Sequence, residues 1–440
     1  MIGLGSSVRV LAAKPVSMLG CERGWYAVEP TGFVCLDATT TLDRDHPLLR
    51  AKRRRTGDYS RGSPFAWGES REAPIYRRIP SAAEQLRYEP GLERHLERTD
   101  VAKSAGSVPA FLSDRVLSPW FSSHALPDDR PRQALVPTRS TVAFTDEFFA
   151  EGRNWVLTPE LFVVPKDKLA VAKPSTFTGV HLKDSAARLP LAFIRGGPRP
   201  KFQWVEAETA SEALIPAAYT PDQQGFIDDG PVGGHFVETG MSWDRLAWVE
   251  LTGRARRKRA TRYLETRETP NWIREDDATV IQARAPEGFP LAGNEKWIDV
   301  SIFRGTLVAY EGKTPVFATL ISPGLKGYAR VDGKPTKNTT PTGAFRIEWK
   351  HRSTTMSPNP ETMSYYLSEV PYTQFFHMPF ALHAAYWHDR FGEPKSGGCV
   401  NLSPEDAHFL FQWTTPELPD GWHAVRSGDE RGPGTWVRVR

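Results

Sequence analysis

Cys399 is one of three cysteines in 440 residues. It follows Gly397 and Gly398 and lies sixteen positions after His383 (399 − 383), in the stretch LHAAYWHDRFGEPKSGGCVNLSPEDA from Leu382 to Ala407. A thiol acts as a nucleophile when a nearby base takes its proton, when backbone N–H groups can hold the oxyanion formed on attack, and when substrate can reach it. Two glycines let the backbone turn tightly and approach a carbonyl closely, so the N–H groups of Gly397, Gly398 and Cys399 are candidates to point at one oxygen. His383 follows the apolar residues Phe380 to Leu382, which read as a strand. A strand-borne imidazole and a loop-borne thiol can meet if two strands pair, and the imidazole then takes the thiol proton. Cysteine and histidine alone leave another reading open, a small buried cysteine beside a structural histidine. A zinc site built from His377, His383, His388 and Cys399 has suitable donor types, but the spacings are loose and no CxxC or HxxxH pair is present.

The elements that must position these groups surround them. WIDVSI alternates, with Ile298, Val300 and Ile302 on one face and Asp299 and Ser301 on the other. TLVAYEG and PVFATLIS continue the strand pattern, and TTPTGAFRIEWK is a turn entering another strand. After the cysteine, Ser403 is a good N-cap, Pro404 suits the first helical position, and Glu405 and Asp406 fall in the first turn. That helix places Ala407, Leu410 and Phe411 on one face and stops before Pro416. The order is therefore strand, His, loop, Cys, strand, capped helix.

The remainder of the chain reads as mainly β. Fourteen tryptophans and thirty-seven prolines favour strand- and turn-rich modules. Residues 1–60 resemble a bacterial SH3-like module, with GWYAVEPTGFVCL as two apolar runs about a turn. Residues 61–135 are expected to be an irregular and helical connector, with a capping box at Ser81–Glu84 and Leu92 and Leu96 four apart. Residues 136–290 read as an intermediate β-rich domain that includes a possible second SH3-like barrel, since Phe162 follows Trp155 much as Phe33 follows Trp25. Residues 291–427 form the clearest domain, and 428–440 read as a tail. Cys21 and Cys35 either pair, closing a loop for roughly 3 kcal/mol and leaving Cys399 as the odd thiol, or stay buried and reduced.

A net charge of +4 does not suggest a nucleic-acid binder. The basic runs at Lys52–Arg55 and Arg254–Arg262 are expected to be solvated surface, with contact to anionic envelope polymers as the alternative. No apolar run approaches the roughly 18 residues of a membrane span. The N-terminus is a poor signal peptide, so the chain is either cytosolic or a mature or trimmed form.

Taken together, TPTGAFRI, ALHAAYWHDRFG, SGGCVN and LSPEDA resemble the YkuD-type L,D-transpeptidases of bacterial cell walls. The family motif is a His, about fifteen residues, then Ser or Thr, usually His, then Gly, Cys, a hydrophobic residue, and Arg or Asn. Here these are His383, Ser396, Gly397, Gly398, Cys399, Val400 and Asn401, and the likeness covers about 290–427. Gly397 departs from the pattern, standing where most members carry a second His. The resemblance implies SH3-like modules ahead of a β-sandwich-like catalytic domain and a cysteine acyltransferase that needs no cofactor or metal. Cys399 would attack the bond between an L-diamino acid and the terminal D-Ala of a peptidoglycan stem tetrapeptide. His383, oriented by a backbone carbonyl, would protonate the leaving D-Ala, and the thioester would pass to an amine, giving a 3→3 cross-link. Gly397, Gly398, Ser396 and Asn401 would shape the oxyanion site and pocket. His388 and Arg390 would contact substrate carboxylates, and Tyr366 and Tyr372 would cover the donor stem as part of a lid. Carbapenem-type inhibitors and an envelope location follow from the same likeness, with any export signal absent from this chain or upstream of it. Hydrolysis of the thioester, making an L,D-carboxypeptidase, and a non-catalytic wall-binding scaffold are the alternatives.

Overall fold

The computed structural model describes residues 2–3, 5–99, 103, 106–113, 118, 132–206, 226–228, 233–285, 291, 293–326, 330–331, 334–335, 339–357, 365–428 and 431–440. It is mainly β, with a few short helices. Two sheets carry the C-terminal domain. The first runs Val180–His181, Thr314–Leu320, Thr306–Glu311, Lys296–Ser301, Trp436–Val439, Gly343–Arg346. The second runs Leu169–Val171, Ala66–Ser70, Thr141–Phe144, Leu367–His377, Trp349–Met356, Ala424–Arg426, with Phe380–Ala384 and Val400–Leu402 branching from Leu367–His377.

A core fills the space between these sheets and the helix Pro404–Trp413. Ile298, Val300, Leu382, Val400, Leu402, Ala407, Leu410 and Phe411 all belong to it. The helix starts where its capping residues require: Ser403 Oγ accepts from the Asp406 N–H at 3.2 Å. It ends at Trp413, and its buried face includes Ala407, Leu410 and Phe411. The alternation in WIDVSI sorts residues between two interiors rather than between core and water. Ile298, Val300 and Ile302 join the sandwich core, while Trp297 joins a second cluster. Asp299 is buried too, with its carboxylate held by Arg438 at 2.7 Å and Arg440 at 2.6 Å.

Several boundaries differ from those read in the sequence. Residues 428–440 are not a tail: Trp436–Val439 lies inside the first sheet, parallel to Lys296–Ser301 and antiparallel to Gly343–Arg346. The segment 61–135 is not only a connector. It supplies Ala66–Ser70, which pairs with Thr141–Phe144, and that strand in turn pairs with Leu367 of the C-terminal domain. The Pro- and Ser-rich stretch from about 104 to 135 lies largely outside the described residues. The capping box at Ser81–Glu84 is formed.

The first 60 residues contain a two-stranded hairpin, Trp25–Ala27 with Phe33–Cys35, and no closed barrel among the described residues. Cys21 and Cys35 are joined in a disulfide across that hairpin, which leaves Cys399 as the free cysteine. In the intermediate region, Trp155 is fully buried in the strand Arg153–Leu157 of an open five-stranded sheet, not in a barrel. The Lys52–Arg55 run is not wholly solvated. Lys52 and Arg55 are buried; the Lys52 ammonium donates to the Pro159 carbonyl, and Arg55 pairs with Asp146 at 3.0 Å. Lys52 is on the buried face of the short helix Pro47–Arg53 and Arg55 follows its cap, a placement that residue type alone could not reveal.

Candidate active site

The His and Cys strands are neighbours. Phe380–Ala384 pairs antiparallel with Leu367–His377 on one side and parallel with Val400–Leu402 on the other. The parallel register sets Leu382 against Val400, His383 against Asn401 and Ala384 against Leu402. Side chains alternate across a strand. Leu382, Val400 and Leu402 point into the sandwich core, so His383, Asn401 and, one step earlier, Cys399 face the other side. Two residues sixteen apart (399 − 383) are thus brought to one face by one strand pairing, His383 diagonal to Cys399.

His383 is buried. Its Nδ1 lies 3.1 Å from the Ala384 carbonyl oxygen. A carbonyl only accepts, so Nδ1 carries the proton and Nε2 presents its lone pair to the site. Burial holds the imidazole down at about 4, with the Ala384 bond acting in the opposite direction. Cys399 is partly exposed, and its thiol points towards the Pro379 carbonyl at 3.9 Å. Burial of the sulfur pushes the thiol up to about 11, against a backbone hydrogen bond from Ala381. Both groups therefore rest neutral at pH 7, rather than as a thiolate–imidazolium pair. Among the described residues no hydrogen bond joins thiol to imidazole, and such bonds often tighten only when substrate arrives.

The loop before Cys399 is fixed by its own hydrogen bonds. Ser396 Oγ donates to the Cys399 carbonyl and accepts from the Gly398 N–H at 3.0 Å. The Gly398 N–H is therefore already engaged within the loop. Gly398 has φ +133°, and a Cβ there would fall 2.4 Å from a Phe380 ring carbon and 3.0 Å from the Thr339 carbonyl oxygen. Only glycine fits. Thr339 and the first residue of the TPTG turn, Thr340, lie behind this loop, where Thr340 Oγ1 accepts from the Gly324 N–H at 2.9 Å. Gly397 is exposed, so a side chain at that position would face solvent.

Asn401 is buried and meets His388. The Arg390 N–H donates to His388 Nδ1 at 3.2 Å, so in the neutral ring the proton sits on Nε2. Burial and the neighbouring His383 hold His388 down at about 4, which keeps it neutral. In one amide orientation Asn401 Nδ2 faces Nε2 at 3.0 Å, while Oδ1 is buried without a partner. Turning the amide over lets Oδ1 accept the Nε2 proton and puts the NH₂ group in the buried position away from His388.

Other expected site residues lie elsewhere. Arg390 pairs with Glu393 at 2.6 Å on the surface. Tyr366 packs with Val136, Val142 and Phe144 beneath the five-stranded sheet. Tyr372 is buried in the sandwich core, and its hydroxyl donates to the Arg61 carbonyl. Neither tyrosine covers the Cys399 loop. Aromatic residues at strand spacing serve packing here, because Leu367–His377 is buried on both faces over most of its length. His377 is exposed and stacks on Phe345, and no cluster of three or more His, Cys, Asp or Glu side chains converges as a metal site among the described residues. One residue missed in the sequence is Trp387, whose ring lies 5.9 Å from that of His383. Its position beside His388 in AAYWHDR was the available signal.

Residues 295–439 match the YkuD family, described as the L,D-transpeptidase catalytic domain. A cysteine-to-serine mutant of the Enterococcus faecium L,D-transpeptidase is 22% identical, over 33% of this chain and 50% of that one, with a TM-score of 0.24. This chain thus spans half the length of that relative. The E. faecium catalytic domain acylated by ertapenem is 20% identical, over 34% of this chain and 100% of that one, with a TM-score of 0.25. An L,D-transpeptidase from Mycobacterium smegmatis is 16% identical, over 58% of this chain and 98% of that one, with a TM-score of 0.24. Among curated proteins none matches.

Proposed function

Starting from residues 295–439 as a YkuD-type L,D-transpeptidase catalytic domain, we propose that the chain is a peptidoglycan L,D-transpeptidase working through a Cys399 thioester. The observation that carries this reading is the parallel register of the His and Cys strands. It sets His383 and Cys399 on one face, with Nδ1 of the base tied to a carbonyl and Nε2 left for proton transfer.

The steps follow from that arrangement. His383 Nε2 takes the thiol proton as the sulfur attacks the carbonyl carbon between the L-diamino acid and D-Ala. The oxyanion is held by the Gly397 and Cys399 N–H groups. When the C–N bond breaks, His383 returns the proton to the departing D-Ala amine. An acceptor amine then attacks the thioester and gives its proton to His383, the C–S bond breaks, and the sulfur leaves with that proton restored. Two neutral partners suit this cycle, since the base must receive and release one proton in each half. Ser396 holds the loop, and Asn401 fixes the His388 ring.

The Cys21–Cys35 disulfide supports an oxidising compartment, in keeping with an envelope location. Among the described residues no helix is long and apolar enough to cross a membrane. The test is mass spectrometry after incubation with a disaccharide-tetrapeptide and, separately, with a carbapenem, using Cys399→Ala as control. An acyl adduct in the wild type only supports the mechanism. Absence of adduct with both reagents leaves the scaffold reading. Among products, a cross-linked dimer identifies transfer, and a free tripeptide identifies the carboxypeptidase.

A further inference from the structure

The basic run Arg254–Arg262 lies outside the catalytic domain, and the mechanism leaves it unused. It forms the end of a hairpin, Trp248–Lys258 with Thr261–Thr266, in an eight-stranded sheet of the intermediate region. Six of its nine residues are cations, and two of these sit where local stability argues against them. Arg257 lies directly opposite Arg262, a like-charge cross-strand pair. Arg259 occupies the two-residue turn with φ +55°, a left-handed position that favours glycine or asparagine. Arg262 is settled, since it is buried and pairs with Glu275 at 3.4 Å. Arg257, Lys258 and Arg259 are exposed, and none of the three makes an ion pair among the described residues. Positive charge gathered against local preference, with no carboxylate to neutralise it, points to a contact outside the chain.

Beside this tip lies a face of aromatic rings. Ala255 and Leu264 turn into the core, so Arg256 and its cross-strand partner Tyr263 lie on the opposite face of the sheet. The Tyr263 ring stacks on Phe236 at 3.7 Å, and Phe236 meets its register partner Trp204 at 4.9 Å. The Arg256 guanidinium sits 4.6 Å from the centre of the Trp204 ring. Trp204, Phe236 and Tyr263 are only half-buried, which leaves part of each residue open. Lys258 joins the tip to this face by donating to the Gly234 carbonyl at 2.6 Å, two residues before Phe236.

Rings and cations suit different parts of one ligand. The negative face of an aromatic ring attracts the C–H edges of a sugar, and the cations attract its acid groups. An exposed tip does not enclose a small anion. It gains instead from contacts repeated along a chain, where each contact holds the next group close. The disulfide places the protein in an oxidising compartment, away from nucleic acid. We propose that this face and its tip dock an acidic polysaccharide of the cell envelope. The acid groups meet Arg257, Lys258 and Arg259, and the sugar rings lie against Trp204, Phe236 and Tyr263. The docking holds the catalytic domain near the wall and is independent of the chemistry at Cys399.

The test uses the immobilised full chain and biolayer interferometry. The probes are polygalacturonate, neutral dextran, poly-L-glutamate and poly-deoxythymidine of comparable length. Polygalacturonate is expected to bind with an affinity that falls as salt rises, and each of the other three at least about tenfold more weakly. The triple variant Arg257→Glu, Lys258→Glu, Arg259→Glu is expected to lower the polygalacturonate affinity about tenfold or more. A control with the same change of charge at the exposed Arg87, Arg94 and Arg98, each to Glu, is expected to lower it less than about twofold. Circular-dichroism melts report whether both variants fold. Arg257→Glu alone, expected to act about threefold in the same direction, replaces the triple variant if that one is unfolded. Equal losses in the tip variant and the control would reduce the effect to bulk charge and overturn the site. Poly-L-glutamate, poly-deoxythymidine or neutral dextran binding as tightly as polygalacturonate would overturn the acidic polysaccharide as its ligand.

Discussion

In the proposed mechanism His383 is the base and Cys399 the nucleophile of one site, and the two are held by different kinds of structure. The base sits in a strand paired on both sides, buried, with one ring nitrogen tied to a carbonyl. The nucleophile sits at the end of a glycine loop, partly exposed, held by a serine hydroxyl and by a contact that leaves no room for a Cβ. The difference follows from what each must do. A base that moves a proton twice per cycle needs a fixed tautomer, and a sheet supplies that. A nucleophile must be reached by substrate and have donors beside it, which a regular strand with paired N–H groups does not offer. Sheet and loop fail in different ways, and this gives the contrast its tests.

The largest effect is expected at the base. His383→Gln should lower the acylation rate about 100- to 10,000-fold. In the wild type, the rate should hold level above about pH 5 and fall as the pH drops through about 4, where the imidazole of the free enzyme takes up a proton. In the variant the thiol, held up at about 11, must ionise unaided, so the rate should rise about tenfold per pH unit. A variant that keeps the level profile would show that His383 is not the base.

The same burial predicts acid sensitivity of the fold. The folded-state value of His383 lies below its ordinary one, so the unfolded chain binds the proton more readily. Its contribution is complete above about pH 6.5 and is lost as the pH falls towards 4, at about 1.4 kcal/mol per pH unit and about 3 kcal/mol in all. Denaturant melts from pH 7 to 4 should show this slope in the wild type and a shallower one in His383→Gln; equal slopes would contradict the assignment.

On the loop side, Gly398→Ala should destabilise by about 1–3 kcal/mol through its left-handed φ and the Phe380 clash. It should slow acylation with it. Adding Phe380→Ala should recover only part, because the backbone strain remains. Wild-type stability and rate in the single variant would mean the loop adapts. The smallest effect belongs to Ser396→Ala, which leaves the Gly398 N–H without its acceptor. About 1 kcal/mol of stability and a several-fold slower acylation are expected. If adduct formation keeps its rate in that variant, the hydroxyl does not position the loop.

The sequence determined much of this protein because its signals were local. The cap at Ser403, the helix face of Ala407, Leu410 and Phe411, and the alternation in WIDVSI are set by near neighbours along the chain, and each formed where its pattern required. The likeness to a family motif, rather than spacing alone, singled out His383 and Cys399 as a pair. What the chain alone could not decide depended on partners distant in sequence. Tyr372 packs into the core because its strand is buried on both faces, and Tyr366 packs against strands far earlier in the chain. Trp436–Val439 is an inner strand, not a tail, because its hydrogen-bonding partners begin some 140 residues earlier (296 against 436). The Gly398 N–H was spent on Ser396, and the His388 proton was fixed by Arg390 and Asn401. Burial, register and the assignment of each proton are properties of assembled neighbours. Residue type proposes the chemistry, and only packing decides which face, which nitrogen and which N–H remain available to perform it.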